Sequence, residues 1–241
     1  MSNGNVVGTR TFFLAALMAA IGGCESGAVL PPVPMAASAA PGNQPPSARV
    51  QLDPARDRVW SLTRDGVFLQ DRAAPRKIVQ VQLPGWQWAG TPYGCLPDLA
   101  LGPRGEAVVT SDVLPTLWRI DPKTLAVSVH PLALDADMDK DVGFSGLAYS
   151  SEYGAYFAVS YAHGSLWRID PLFRRAQKIP LSGPVPQACG LAVRQRSAQR
   201  KTQRLVGLCV YTPQGSLAVD LAPDQRSAYL RSASCKDLSL R

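Results

Sequence analysis

Four aspartates alternate with other residues between positions 135 and 141, and their spacing could support metal chemistry. Asp135, Asp137, Asp139 and Asp141 would point their carboxylates toward one centre if the segment curves around an ion. Hard oxygen ligands of this kind suit calcium. We therefore expect either a calcium site at these four residues or an acidic loop that contacts only water.

This acidic segment resembles the opening of a calcium-binding loop, but the pattern is incomplete. Compared with an EF-hand, Lys140 occupies the position of the turn glycine and Gly146 that of the closing glutamate. No glycine follows Asp139 either, as it would in shorter loops of this type. Calcium is thus the one cofactor that the sequence suggests. If the segment does not bind calcium, we expect the protein to have no cofactor.

Aromatic side chains are concentrated between residues 85 and 93, where Trp86, Trp88 and Tyr93 occur together. Exposed aromatic residues are frequent anchors for protein or sugar ligands. The alternative is that one or both tryptophans fill a gap between neighbouring structural units. With Tyr161 and His163, which the topology below places at the same end of the fold, these residues form our predicted partner-binding set.

Cysteines indicate an oxidising compartment. Besides Cys24, treated below, the chain contains an even number of them: Cys95, Cys189, Cys209 and Cys235. Three pairings of the four can be drawn. The midpoint between positions 189 and 209 is residue 199, the centre of the polar loop 194–204, so a simple hairpin places these two cysteines opposite each other. We expect a Cys189–Cys209 disulfide.

Catalytic signatures are scarce. The cysteines lack a CxxC spacing, and His130 and His163 are far apart, which argues against zinc. No Gly-x-Ser-x-Gly motif occurs. Neither histidine has an identifiable nucleophile beside it in the sequence, so we interpret both as strand-end or loop residues.

The elements that must position these side chains follow from a repeat. Leu-Trp-Arg-Ile-Asp-Pro begins at Leu117 and returns at Leu166, which is 49 residues later (166 − 117). A period of about 40–50 residues is typical of propeller blades. Around both copies, short apolar runs are separated by Gly, Pro, Ser and Asp, as expected for strands and turns rather than helices. The Asp-Pro pairs themselves favour turns.

Four such units fit the chain, with first strands beginning near Val50, Leu99, Leu147 and Leu191. Each unit is too small to bury a core alone, so neighbours must stack. We predict an all-β, propeller-like array of four-stranded antiparallel blades. The alternative is a sandwich with a duplicated segment. Because four blades is at the low end for propellers, an incomplete ring or an assembly of chains also remains open.

Blade topology sorts the loops into two ends. The loop entering the first strand and the loop between the second and third strands share one end, which we call the candidate face. The predicted partner-binding residues, the acidic segment and the pair Ser111-Asp112 all fall there. The basic loop 194–204 falls at the other end, where its charges would contact anionic head groups or water.

The repeat motifs, together with Phe144-Ser145-Gly146-Leu147-Ala148-Tyr149, resemble those of the broad SMP-30/NHL/YVTN class of propellers. Some members of that class are metal-dependent lactonases that use Glu, Asn and Asp on the metal. Residues 49–241 contain no asparagine, so the resemblance does not carry that metal site over.

The N-terminus resembles a targeting signal. A short apolar run from Phe12 to Ile21 is too short to span a membrane and suits a signal peptide. It ends in Ile21-Gly22-Gly23-Cys24, which resembles the lipobox of bacterial lipoproteins. That resemblance implies cleavage before Cys24 and lipidation of Cys24. A plain secretory signal is the alternative. Because Glu25 is not the inner-membrane retention Asp of that family, the outer membrane is favoured, facing the periplasm or the surface.

These features divide the chain into a signal peptide (1–24), a Pro/Ala-rich tether (25–48) and a propeller-like domain (49–241). The net charge of +7 could suggest nucleic acid, but export argues for envelope partners instead. We expect a lipid-anchored protein that binds a protein or an envelope glycan without catalysis. The alternative is a periplasmic hydrolase acting on a lactone or sugar, and the enzymatic status stays uncertain.

The lipobox hypothesis predicts that Cys24→Ala will release the protein from the membrane fraction or stall its processing, since the thiol that carries the lipid is gone. Fractionation of cell envelopes followed by immunoblotting measures this. A variant that stays with the outer membrane as the wild type does would refute the lipobox.

Overall fold

A computed structural model describes residues 49–89, 95–135, 143–183, 185, 187–194, 207–231 and 235. The signal peptide, the tether and Cys24 lie outside these residues, so their assignments stay predictions. Within the described ranges, no helix is long and apolar enough to cross a membrane.

The described chain forms four antiparallel sheets arranged as a four-bladed β-propeller, which confirms the predicted fold class. Blade 1 comprises β1 (Arg49–Asp53), β2 (Arg58–Thr63), β3 (Gly66–Asp71) and β4 (Ile78–Val81). Blade 2 comprises β5 (Leu99–Leu101), β6 (Ala107–Val109), β7 (Thr116–Ile120) and β8 (Val127–Pro131). The first strands begin within one residue of the predicted positions.

The other two blades follow the same order. Blade 3 comprises β10 (Gly146–Ser150), β11 (Ala155–Val159), β12 (Leu166–Ile169) and β13 (Arg175–Ile179), with β9 (Ala133–Leu134) pairing in parallel beside β13. Blade 4 comprises β14 (Gly190–Arg194), β15 (Gly207–Thr212), β16 (Gly215–Leu221) and β17 (Ala228–Arg231). The short strand β9 was not foreseen. It ties the segment leaving blade 2 to the outer strand of blade 3.

The repeat motif occupies the third strand of blades 2 and 3 and explains how blades stack. Trp118 and Trp167 are almost fully buried, and each packs in an apolar cluster shared with the preceding blade. The Asp-Pro pairs make the expected turns, since Asp121 accepts the backbone N–H groups of Lys123 and Thr124. These hydrogen bonds hold the pKa of Asp121 below its ordinary value.

Three apolar clusters fill the junctions between successive blades. The first joins blades 1 and 2, the second blades 2 and 3, and the third blades 3 and 4. At the inner edge the blades approach very closely. A side chain at Gly146 would place its Cβ 2.7 Å from the Gly190 carbonyl carbon of the next blade, so only glycine fits there.

The cysteine pairing differs from the prediction. The disulfides are Cys95–Cys189 and Cys209–Cys235, with Cα atoms 5.0 and 6.1 Å apart. The predicted Cys189–Cys209 pair is wrong, because in the hairpin of β14 and β15 Cys209 lies opposite Ala192.

Packing sets this hairpin register. The observed pairing aligns Leu191 with Val210 and Val193 with Leu208, so that all four side chains face blade 3. A register with Cys189 opposite Cys209 would put Leu191 and Leu208 on opposite sides of the sheet. Burial of these four apolar side chains on one side of the sheet therefore determines the register, and the midpoint of the loop does not.

Peptide mapping without reduction should recover Cys95 linked to Cys189 and Cys209 linked to Cys235. Because these bridges close loops of 94 and 26 residues, their chain-entropy contributions to the free energy of unfolding are at most roughly 4.7 and 3.5 kcal/mol. Thermal melts of the paired Cys→Ser variants measure the loss. A fragment joining Cys189 to Cys209 would contradict the observed register.

Candidate functional site

The loops of the candidate face come from all four blades. The described parts are residues 82–89 and 95–98 entering blade 2, residues 143–145 entering blade 3, residues 185 and 187–189 entering blade 4, and the β2–β3, β6–β7, β11–β12 and β15–β16 loops. Because every blade runs in the same antiparallel order, these segments share one end, as predicted.

The tryptophan loop is fastened to the neighbouring β6–β7 loop by hydrogen bonds. Trp86 donates its indole N–H to the carbonyl of Thr110 at 2.9 Å, and Ser111 donates its hydroxyl to the carbonyl of Gln87 at 2.8 Å. The backbone N–H of Ala89 donates to Oδ1 of Asp112 at 3.2 Å. These contacts hold the aromatic loop in one conformation.

The two tryptophans have different environments. Trp86 packs against the apolar cluster between blades 1 and 2, and its indole N–H is already bonded. Trp88 is half-buried, and its indole N–H makes no hydrogen bond within the described structure. Their ring centroids are 6.0 Å apart with planes tilted by 59°. Trp86 therefore fixes the loop, and Trp88 carries the unused donor.

Asp112 is the site residue that the sequence analysis placed on this face without assigning it a role. It is 8% exposed, and its Oδ2 makes no hydrogen bond within the described structure. Burial raises the pKa of Asp112 above its ordinary value, although the bond from Ala89 opposes this. A buried acceptor thus accompanies the buried donor of Trp88 on one loop pair, and neither atom has a hydrogen-bond partner within the described structure.

At the inner edge of the same end, Arg49 and Asp98 connect the blades. Nε of Arg49 donates to Oδ1 of Asp98 at 3.0 Å, and the guanidinium also donates to the carbonyl of Cys189. Asp98 accepts the backbone N–H groups of Leu99 and Leu147, both at 2.9 Å. Burial raises the pKa of Asp98 above its ordinary value, against the opposing effects of Arg49 and both N–H groups.

Two of the remaining predicted partner-binding residues, Tyr161 and His163, lie apart from the tryptophans. Tyr161 is half-buried and His163 exposed in the β11–β12 loop, which packs against Val185 between blades 3 and 4. The tryptophans lie between blades 1 and 2. Tyr93 falls outside the described residues. The structure thus puts Tyr161, His163 and the two tryptophans at one end of the propeller but over different blade junctions.

The acidic segment is described only at its first residue. Asp135 is exposed, and its Oδ1 accepts the backbone N–H of Lys178 at 2.8 Å, beside the outer strand of blade 3. Asp137, Asp139 and Asp141 lie outside the described residues. No cluster of three or more His, Cys, Asp or Glu side chains suited to a metal occurs in the part of the chain that the structure describes. The calcium site stays a prediction.

A hydroxyl–imidazole pair occurs elsewhere, which the sequence analysis did not anticipate. Ser128 Oγ lies 2.8 Å from Nε2 of His130, and the histidine ring packs on Phe173 with centroids 5.2 Å apart. Burial, and then the charge of Arg119, lowers the pKa of His130. The pair lies on β8, the outermost strand of blade 2. Alternating residues of a strand share one side, and that spacing is the signal that could have revealed it.

Comparison with solved structures supports the propeller fold. Virginiamycin B lyase from Staphylococcus aureus is 12% identical over 79% of this chain and 55% of that chain, with a TM-score of 0.54. A streptogramin B lyase is 14% identical over 78% and 55%, with a TM-score of 0.54. An auxiliary nutrient binding protein from Bacteroides thetaiotaomicron is 9% identical over 76% and 41%, with a TM-score of 0.53.

These similarities establish the fold alone, because the identities are low and the structures include both lyases and a binding protein. The chain spans about half the length of the solved propellers that it matches. No family model matches the sequence, and no curated protein does. The resemblance to propellers is therefore confirmed for the fold.

Asp112 provides a pH-dependent test of this site. Because its pKa is raised in the folded state, the ionised carboxylate destabilises the fold above that pKa. Asp112→Asn keeps the oxygen that accepts the Ala89 N–H and cannot ionise. We expect its melting temperature to exceed that of the wild type at neutral pH. Below the ordinary pKa of 3.8 the difference should vanish, since the wild-type side chain is then neutral in both states.

Thermal melts across this pH range provide the measurement. Asp224→Asn, an exposed aspartate in the loop between β16 and β17, is the control. A stability gain for Asp112→Asn that does not change with pH would contradict ionisation as its cause.

Proposed function

We propose that this chain is a lipid-anchored envelope protein whose propeller binds a protein or an envelope glycan at the candidate face, without catalysing a reaction. The observation that carries the proposal is the tryptophan loop. Its three hydrogen bonds to the β6–β7 loop hold the half-buried ring of Trp88 in place before any partner arrives. An anchor ordered in advance loses little conformational entropy on binding.

The polar groups around Trp88 support a partner rich in hydrogen-bonding groups. The indole N–H is an unused donor, and Oδ2 of Asp112 is an unused acceptor. Because both atoms are buried, a partner reaches them only through a local opening of the loop. Hydroxyl groups of a sugar, or the amides of a peptide, both donate and accept hydrogen bonds. The aromatic ring beside them supplies the apolar contact surface that such partners use.

The predicted export and anchoring support the envelope as the location. The apolar N-terminal run and the lipobox-like Cys24 predict the anchor, and the proline-rich tether would hold the propeller away from the bilayer. Two disulfides in the described domain are in keeping with an oxidising compartment.

A hydrolase acting on a lactone or sugar is the second candidate, and the Ser128–His130 pair is the observation that favours it. The pair lies at the periphery of blade 2 and not among the loops of the candidate face. We therefore propose binding, and not hydrolysis, as the main function.

Trp88→Ala should weaken partner binding by about 2 kcal/mol, or roughly 30-fold in Kd, as expected for a lost aromatic anchor. Its melting temperature should stay near the wild-type value, whereas Trp86→Ala should lower it by removing a ring from the apolar cluster. Binding is measured with the immobilised protein against solubilised envelope proteins and, separately, purified envelope glycan.

Leu172→Ala is the matched control, because Leu172 is a large apolar residue, 62% exposed, at the opposite end of the propeller. It should bind as the wild type does. A folded Trp88→Ala variant with unchanged affinity would contradict binding at the candidate face. A loss of binding in Leu172→Ala would instead indicate that the partner binds the opposite end.

A further inference from the structure

Two arginines hold the same position in the repeat but have different surroundings. Arg119 in β7 and Arg168 in β12 are each the third residue of a Leu-Trp-Arg-Ile-Asp-Pro copy. Because side chains alternate along a strand, each arginine faces the following blade, as Leu117 and Leu166 do. Nε of Arg168 donates to Oε1 of Gln225 in blade 4 at 2.7 Å. Nε of Arg119 is buried and makes no hydrogen bond within the described structure.

The turn at the junction of blades 2 and 3 lacks the acceptor that Arg168 uses at the next junction. In the β12–β13 and β16–β17 turns, Phe173 and Gln225 occupy the same position. Their backbone N–H groups donate to the carbonyl three residues earlier, at 3.0 and 2.8 Å, and their φ angles are 55° and 58°. Gln225 presents an amide oxygen to the preceding blade, whereas Phe173 presents only a ring. The backbone of the turn is thus the same at both junctions, but the side chain that would bond the arginine is missing at the first.

The outer strand of blade 2 places a hydroxyl and an imidazole beside Arg119. Ser128 in β8 pairs directly opposite Arg119, and His130 follows two residues later on the same side of the sheet. At the corresponding positions blade 3 has Gln177 and Ile179. Ser128 Oγ lies 2.8 Å from Nε2 of His130, and when the imidazole donates this bond the hydroxyl hydrogen is available to a ligand. Ser128 is exposed, so a ligand reaches it from solvent.

The positive charge of Arg119 has no ion-pair partner among the described residues. Carboxylates of the neighbouring turns have partners of their own. These are Asp121, which accepts backbone N–H groups of its own turn, Asp170, which pairs with Arg174 at 3.6 Å, and Glu106, which pairs with Arg104 at 3.8 Å. Arg119 is half-buried, and a cation in that position without a carboxylate partner attracts an anion from solution.

The imidazole beside Arg119 is held in place and responds to its charge. The ring of His130 packs on Phe173 with centroids 5.2 Å apart, and Phe173 packs on Tyr156 at 5.1 Å. Burial, and then the charge of Arg119, lowers the pKa of His130, while Asp170 opposes this. An oxyanion beside Arg119 would favour the charged imidazolium and raise the pKa of His130 again. His130 can therefore report whether an anion is bound.

We propose that Arg119, Ser128 and His130 bind a phosphate group at the periphery of the junction between blades 2 and 3. The guanidinium supplies a fixed charge and a planar set of N–H donors that matches phosphate oxygens. The hydroxyl of Ser128 adds a donor from the neighbouring strand, and His130 orients that hydroxyl. Donors that approach from two strands suit a tetrahedral group with several oxygens better than a carboxylate with two. The site is separate from the tryptophan loop, so it does not rest on the proposed function.

Histidine NMR of the full chain tests the proposal, because the chain contains only two histidines, His130 and His163. Inorganic phosphate is compared with sodium chloride at equal ionic strength, which keeps general screening constant. We expect phosphate to raise the midpoint of the His130 titration by about half a unit, which corresponds to roughly threefold tighter binding by the imidazolium form. The His163 signal, from the β11–β12 loop, should not respond. Acetate at the same concentration should produce a smaller shift than phosphate.

Arg119→Gln should abolish the response to phosphate. It should also raise the pKa of His130 in the absence of phosphate, since the cation that lowers it is gone. Arg168→Gln is the matched control at the same position of the repeat. It should keep the phosphate response but lower the melting temperature, because it loses the hydrogen bond to Gln225. Ser128→Ala, at an exposed position, should reduce the response and leave the melting temperature near the wild-type value.

A wild type whose His130 signal does not respond to phosphate would overturn the proposal. So would a response that persists in a folded Arg119→Gln variant or stays at full strength in Ser128→Ala. A response that is lost in a folded Arg168→Gln variant would assign the phosphate to the junction between blades 3 and 4 instead, and one that acetate reproduces in full would contradict phosphate as the ligand.

Discussion

The propeller depends on one partly buried ion pair near its inner edge, in which the carboxylate is buried and the arginine is partly exposed. Arg49 begins the first strand of blade 1, Asp98 precedes the first strand of blade 2, and the pair also contacts Leu147 in blade 3 and Cys189 beside blade 4. Burial of a carboxylate is costly, which is why the pKa of Asp98 is raised. Two backbone N–H groups and the guanidinium compensate part of that cost. A single polar centre thereby specifies how four separate sheets meet.

Apolar packing then stabilises the arrangement that this ion pair specifies. The three clusters between successive blades bury the tryptophans of the repeat and bring the entering segments together at one end. The Cys95–Cys189 disulfide links two of those segments covalently. A rigid end of this kind can carry loops whose side chains are ordered before they meet a partner, and the tryptophan loop shows this property.

The four blades could be predicted because their signals are local. Alternating apolar residues, turn residues and the repeat spacing all act within about 50 residues, so the first strands were placed within one residue. The site could be predicted only in part. The sequence indicated the tryptophan loop, but it did not separate Trp86 from Trp88. Their roles differ because of Thr110 and the core of the neighbouring blade, which are distant in sequence.

The sequence by itself determined the number of blades, the order of their strands and which loops share an end, since each of these follows from short-range pattern and chain direction. Only the tertiary structure decided the disulfide pairing and the partners of Asp98 and Asp112. The physical reason is that these depend on which distant residues are brought together. The hairpin of blade 4 illustrates this, because burial of Leu191 and Leu208 on one side moved Cys209 away from Cys189.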